Sequence, residues 1–153
     1  MNVTELREHI CETYPDLCPL FSLEFGDGVL TVDPERLRQA AVDLHNFGFD
    51  LLGMVTAVDR GDAFELVYRL RSRVLSVGMF LKCRIPRDEP KAPSMVDLWP
   101  AADWHEREVY DLFGVVFEGH PNLRRMFLPE DWKGHPLRKD YVDDNIIRRP
   151  DYF

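Results

Sequence analysis

Apolar residues recur along the first half of the chain at two distinct periods. Leu6, Ile10 and Tyr14 fall at helical spacing, with Thr4 placed to cap that helix and Pro15 to end it. Phe21, Leu23 and Phe25 alternate with other residues, and Gly26-Asp27-Gly28 offers a tight turn into Val29 and Val32, which predicts a hairpin. Asp33-Pro34 reads as a helix start, an N-cap followed by Pro at the first helical position. Leu37, Ala40, Ala41 and Leu44 then form one stripe, and Gly48 is placed to stop it.

Three strands are predicted next. The first covers residues 49–58. The second puts Phe64, Leu66, Tyr68 and Leu70 on one face, and the third does the same with Leu75, Val77, Met79 and Leu81. Their linkers, Arg60-Gly61-Asp62 and Ser72-Arg73, are too short for crossover helices, so these strands pair antiparallel. A mostly antiparallel sheet with helices on one face is an α+β fold.

The pattern changes at Pro86, Pro90 and Pro93, which sit among charges. We read residues 1–85 as the α+β domain and 86–98 as a Pro-rich loop. Residues 99–153 then hold a helix and an extended, Pro-rich C-terminal arm, the whole forming one compact unit. The helix runs through Trp99, Trp104 and Val109 to Phe113, with Gly114 its stop. Beyond it Pro121, Pro129, Pro136 and Pro150 forbid a long helix. A segment of this kind is expected to lie on another surface, and proteolysis of the isolated chain is expected to cut first beyond Pro86.

Composition narrows the function classes. Ten Phe, five Tyr and three Trp in 153 residues supply ample surface for a packed core. A net charge of −8 argues against nucleic-acid binding, which needs a basic face. The start, Met1 to Glu5, lacks the basic-then-apolar pattern of a leader, and the near-apolar stretch from Leu51 to Val58 is far shorter than a membrane span. Any membrane association is therefore expected through partners. The cysteines Cys11, Cys18 and Cys83 form no C-x-x-C pair and cannot ligate an iron–sulfur cluster, so free thiols are expected.

The densest run of chemically able residues lies between Trp104 and Tyr141. Glu108 and Asp111 share a helix face at a spacing of three. They suit either a general acid/base pair in a hydrolase or lyase, or anchors for the guanidinium groups of Arg124, Arg125 or Arg138. No nucleophile accompanies them, which favours the anchors. His105, His120 and His135 form no H-E-x-x-H, and the Gly-His-Pro turns suit backbone contacts better than a metal. No Gly-rich loop opens a helix beside the basic triplets, so no phosphate or dinucleotide site is expected. Catalytic, cofactor-binding and metal residues are accordingly expected to be absent.

The stretch Glu106-Arg107-Glu108, followed by Asp111, Leu112, Phe113, His120, Arg124 and Met126, resembles the signature of the C subunit (30-kDa subunit) of NADH:quinone oxidoreductase. Pro129-Glu130-Asp131-Trp132 and the run from Gly134 to Tyr141 resemble the family as well. The resemblance implies a cofactor-free structural subunit of a complex I-type enzyme. It implies docking against the hydrogenase-like D subunit and the cluster-bearing B and I subunits. FMN, iron–sulfur clusters and quinone would sit in partners, and the chain would lie on the cytoplasmic side of the membrane as a peripheral protein. The same subunit type serves F420H2 dehydrogenases, ferredoxin-dependent photosynthetic complexes, membrane-bound hydrogenases and formate hydrogenlyases. The residues expected at the partner interface are Glu106, Arg107, Glu108, Asp111, His120, Arg124, Arg125, Trp132, His135, Arg138, Lys139 and Tyr141.

Overall fold

A computed structural model describes residues 1–144, and the end of the arm, residues 145–153 with Pro150, lies outside them. The chain runs α1 (Val3–Thr13), a 3-10 turn (Pro15–Leu20), β1 (Phe21–Glu24), β2 (Asp27–Val32) and α2 (Pro34–Phe47). It continues through β3 (Leu51–Asp59), β4 (Ala63–Ser72), β5 (Val77–Pro86), β6 (Lys91–Pro93), α3 (Ala102–Phe113) and β7 (Val116–Glu118).

Five strands form one sheet in the order β1-β2-β5-β4-β3. The β3-β4-β5 meander is antiparallel, as its short linkers require. β2 and β5 pair in parallel, so the sheet is mixed. The parallel contact arises because α2 carries the chain across the sheet and the meander then returns β5 beside β2.

Inward residues of β4 and β5 meet the helix stripes in one core. Phe64, Leu66, Tyr68, Leu70, Met79 and Leu81 are fully buried, as are Leu37, Ala41 and Leu44 of α2 and Leu6 and Ile10 of α1. The boundary read at Pro86 does not divide this core. Trp99, Ala102, Val109, Phe113, Val115 and Phe117 belong to it, and α3 packs directly on β3. A sheet hydrophobic along β3 needs a cover there, and α3 supplies it. The expectation of a first proteolytic cut beyond Pro86 therefore loses its structural basis.

Several local readings are corrected. Asn2, not Thr4, caps α1: its side chain accepts from the Glu5 amide while Glu5 reaches back to the Asn2 amide. The hairpin tip is Phe25-Gly26, with Asp27 and Gly28 already paired in β2. Both tip residues have positive φ, 52° and 88°, the geometry that a two-residue hairpin turn demands. Leu75 lies in the β4–β5 turn. Helix α3 begins at Ala102, because Pro100 disfavours helical backbone at Trp99. The Pro-rich loop contains β6, which pairs in parallel with β7. Cys11 and Cys18 are joined by a disulfide instead of standing free, since the bend at Tyr14-Pro15 brings their Cα atoms to 4.7 Å. Cys83 is free and buried.

Candidate functional site at the junction of the third helix and the arm

Helix α3 buries an unusual set for an amphipathic helix: Glu106, Arg107 and Asp111 beside Ala102, Val109 and Phe113. Each buried polar group has partners. Ser94 Oγ donates to Glu106 Oε2 at 2.6 Å and the Met95 amide donates to Oε1 at 2.7 Å. Burial pushes the Glu106 carboxyl above the usual glutamate range, and these two donors offset that only in part. Arg38 of α2 reaches the same turn, donating to the Ser94 carbonyl at 2.9 Å and pairing with Asp97. Glu106 thus ties α3 to the turn after β6.

Asp111 anchors the arm. Arg125 Nη1 donates to its Oδ1 at 2.8 Å, and the amides of Met126, Phe127 and Leu128 all donate to Oδ2, at 3.0, 2.8 and 3.0 Å. Burial opposes ionisation, but the Leu128 amide, the Arg125 guanidinium and the Met126 and Phe127 amides outweigh it. The carboxyl titrates below the usual aspartate range.

The arm also caps the helix. The last turn of any α-helix leaves carbonyls without intrahelical donors. Here Gly114 N donates to Tyr110 O, and both Arg125 Nη1 and His135 Nδ1 donate to Asp111 O. Leu137 N donates to Leu112 O, and Arg138 Nε to Phe113 O at 2.6 Å. Two guanidinium groups at the negative end of the helix dipole add favourable electrostatics. His135 carries its proton on Nδ1 in this arrangement. Burial lowers its pKa, with Arg138 and Arg125 adding to the effect against the Asp111 carbonyl. Gly114 makes the approach possible: φ is +75°, and a Cβ there would lie 2.5 Å from the His135 ring.

A second anchor lies at the end of β3. Asp59 accepts from the amides of Gly61 and Lys139, both at 2.8 Å, and pairs with Arg87, which also binds Asp140 at 2.6 Å. Burial raises the Asp59 pKa, but Arg87 and the two amides bring it down to about 2. The guanidinium groups of Arg87 and Arg138 lie over the Phe64 ring, 5.0 and 5.2 Å from its centroid.

The remaining signature residues occupy distinct places. Arg107 donates to the carbonyl of Arg124 at 3.3 Å and stacks over Trp104 at 5.0 Å. His120 has its Nε2 3.2 Å from the Asp103 carbonyl and accepts the Asn122 amide on Nδ1. The Trp132 carbonyl accepts from Arg125, and Tyr141 donates to Asp143. Glu108 and the side chains of Arg124 and Lys139 make no ion pair among the described residues. Both carboxylate oxygens of Asp111 are engaged by the arm, as expected of an anchor for a guanidinium group. Among the described residues no group of three His, Cys, Asp or Glu gathers to hold a metal, and no helix is long and apolar enough to cross a membrane.

Sequence reasoning missed Asp59, Arg87, Ser94, Arg38 and Phe64. Only Asp59 carried a signal, since an Asp two residues before Gly61 forms a side-chain turn with its amide.

The chain is similar to a family model, a curated relative and two solved structures. The family model for the respiratory-chain NADH dehydrogenase 30 kDa subunit matches residues 30–145. A relative from Roseiflexus sp. (strain RS-1), the C subunit of an NADH-quinone oxidoreductase, is 42% identical over 146 residues, covering 91% of this chain and 83% of the relative. A solved trypsin-resistant fragment (1–134) of Nqo5 superposes with a TM-score of 0.65 at 29% identity, over 77% of this chain and 98% of the fragment. A chain of the membrane-bound sulfane sulfur reductase, an archaeal respiratory membrane complex, superposes with a TM-score of 0.79 at 26% identity, over 98% of both chains. The anchored arm therefore belongs to a recognised subunit type, and the chain is a member of the respiratory-chain NADH dehydrogenase 30 kDa subunit family.

Proposed function

We propose that the chain is a structural subunit, with no catalytic centre of its own, in the peripheral arm of a proton-translocating NADH:quinone oxidoreductase. The outward side of the α3–arm junction docks against the hydrogenase-like D subunit and the cluster-bearing B and I subunits. Those partners hold FMN, the iron–sulfur clusters and quinone, and through them the chain meets the membrane on its cytoplasmic side.

The observation that carries this reading is what the junction leaves facing out. Its carboxylates Glu106 and Asp111 turn inward, while Trp104, Phe127, Leu137 and Val142 are 60%, 62%, 52% and 81% exposed. Large apolar groups set among arginines are the residues that concentrate binding energy at protein interfaces. The test is co-expression with the D subunit. Trp104→Ala with Phe127→Ala should deplete the assembled complex on native gels, while turnover per assembled complex stays normal. Full assembly with abolished turnover would instead assign the junction a catalytic role.

A second reading is favoured by the likeness to the sulfane sulfur reductase chain, which spans nearly the whole molecule. There the same subunit type would serve a related complex with another electron donor. Assaying the purified parent complex with NADH and with reduced ferredoxin separates the two.

A further inference from the structure

The corner between α1 and the 3-10 turn carries chemistry that the α3–arm junction does not use. Cys11 lies in the last turn of α1 and Cys18 in the 3-10 turn, joined across a separation of seven residues. Both residues are half-buried, in contrast to a cysteine enclosed in the core. Other contacts share the bend with the sulfurs: the Tyr14 amide donates to Ile10 O, the Leu17 amide donates to Tyr14 O, and Arg36 of α2 donates to the Asp16 carbonyl at 3.3 Å. Beneath it Leu6, Ile10 and Leu17 are buried in the common core and hold the corner on the sheet whatever the state of the sulfurs. Cys83 contrasts with the pair. It is buried on β5, where desolvation pushes its thiol up to about 12.

We propose that Cys11 and Cys18 form a thiol–disulfide exchange site, open as a dithiol in reducing solution and closed by exchange with a low-molecular-weight disulfide. In closing, the thiolate of one cysteine attacks a sulfur of glutathione disulfide. A protein–glutathione S–S bond forms, the bond within glutathione disulfide breaks, and one glutathione leaves as thiolate. The other cysteine's thiolate then attacks the protein sulfur of that mixed disulfide and expels the second glutathione. Two protein thiols are oxidised, one glutathione disulfide is reduced to two thiols, and the two protons pass to solvent and the departing thiolates. Opening runs in reverse.

The location sets the consequence. Thr13, Tyr14 and Asp16, within the loop that the bond closes, form one wall of a cleft of about 260 Å³. Arg36, Gln39 and Asp43 of α2 form the other. Opening the bond removes one tether from the first wall and leaves the core and the Arg36–Asp16 contact in place, so the state of the pair sets how firmly this wall is held.

The test equilibrates the full chain in glutathione buffers from fully reduced to fully oxidised, followed by acid quenching, unfolding and alkylation. Intact mass should fall from three labelled cysteines to one. Hydrogen exchange over residues 12–20 should slow on oxidation, with the rest of the chain unchanged. Cys11→Ser should stop at a glutathione adduct on Cys18. The proposal is overturned if three labels persist in oxidised buffer, or if a glutathione adduct is the end product of the unaltered chain. It is equally overturned if the bond forms and exchange over 12–20 does not change.

Discussion

The carboxylate of Asp111 and the guanidinium of Arg125 meet at 2.8 Å, with the Asp111 side chain fully buried and that of Arg125 14% exposed. Three amides of the arm close on the other oxygen of the same carboxylate. Asp111→Ala would leave a largely buried guanidinium without its carboxylate, with only backbone carbonyls as acceptors, and would strip these amides of their acceptor. We expect a loss of about 3 to 5 kcal/mol in unfolding free energy. The denaturant midpoint measures it, and a loss below about 1 kcal/mol would contradict the anchor.

Gly114→Ala should detach the arm. The left-handed backbone costs a side chain about 1 to 2 kcal/mol, and the new Cβ would collide with His135 and Arg138. Limited trypsin digestion should then cut early after Arg124, Arg125 or Arg138. An unchanged time course would show that the arm does not depend on this approach.

The buried carboxylates give opposite pH dependences. Asp59 has a folded pKa lowered from 3.8 to about 2, so its contribution is present above about pH 4 and is lost as pH falls through about 2. Asp59→Asn should flatten the acid limb of the stability profile. Glu106 is raised, so the folded state holds its proton more tightly than the unfolded chain, and stability falls as pH rises through that window. Glu106→Gln should remove this fall. Glu106→Ala, which strands Ser94 Oγ and the Met95 amide, should cost about 1 to 3 kcal/mol at neutral pH. Urea titrations across the pH range distinguish these outcomes.

Arg138 and Arg124 separate folding from docking. Arg138→Ala removes the cap on the Phe113 carbonyl and the stacking on Phe64, and should destabilise the isolated chain by about 1 to 3 kcal/mol. Arg124 is exposed, so Arg124→Ala should shift stability by less than about 0.5 kcal/mol. A defect of Arg124→Ala in assembly with the D subunit then reports the interface directly, and normal assembly would remove Arg124 from it.

Features that depend on near neighbours along the chain were legible in the sequence. Helix α2 was one, because Asp33-Pro34, the Leu37–Leu44 stripe and Gly48 act within a few residues of one another. The β3-β4-β5 meander was another, because its linkers are too short for any other pairing. The Glu106–Met126 signature pointed to the family, and the run through Trp104 and Val109 to Phe113 marked α3 and its stop at Gly114. Packing settled the rest. The parallel β2–β5 contact, the three-residue strands β6 and β7, and the cover that α3 gives β3 join segments far apart in sequence. Spacing left Arg124, Arg125 and Arg138 equal as partners of Asp111. The fold chose Arg125 for the carboxylate and sent Arg138 to the Phe113 carbonyl. Asp59 holds the Lys139 amide from 80 residues away. A hydrogen bond or ion pair needs its atoms within a few ångströms, and for such distant residues only the packed core sets that distance.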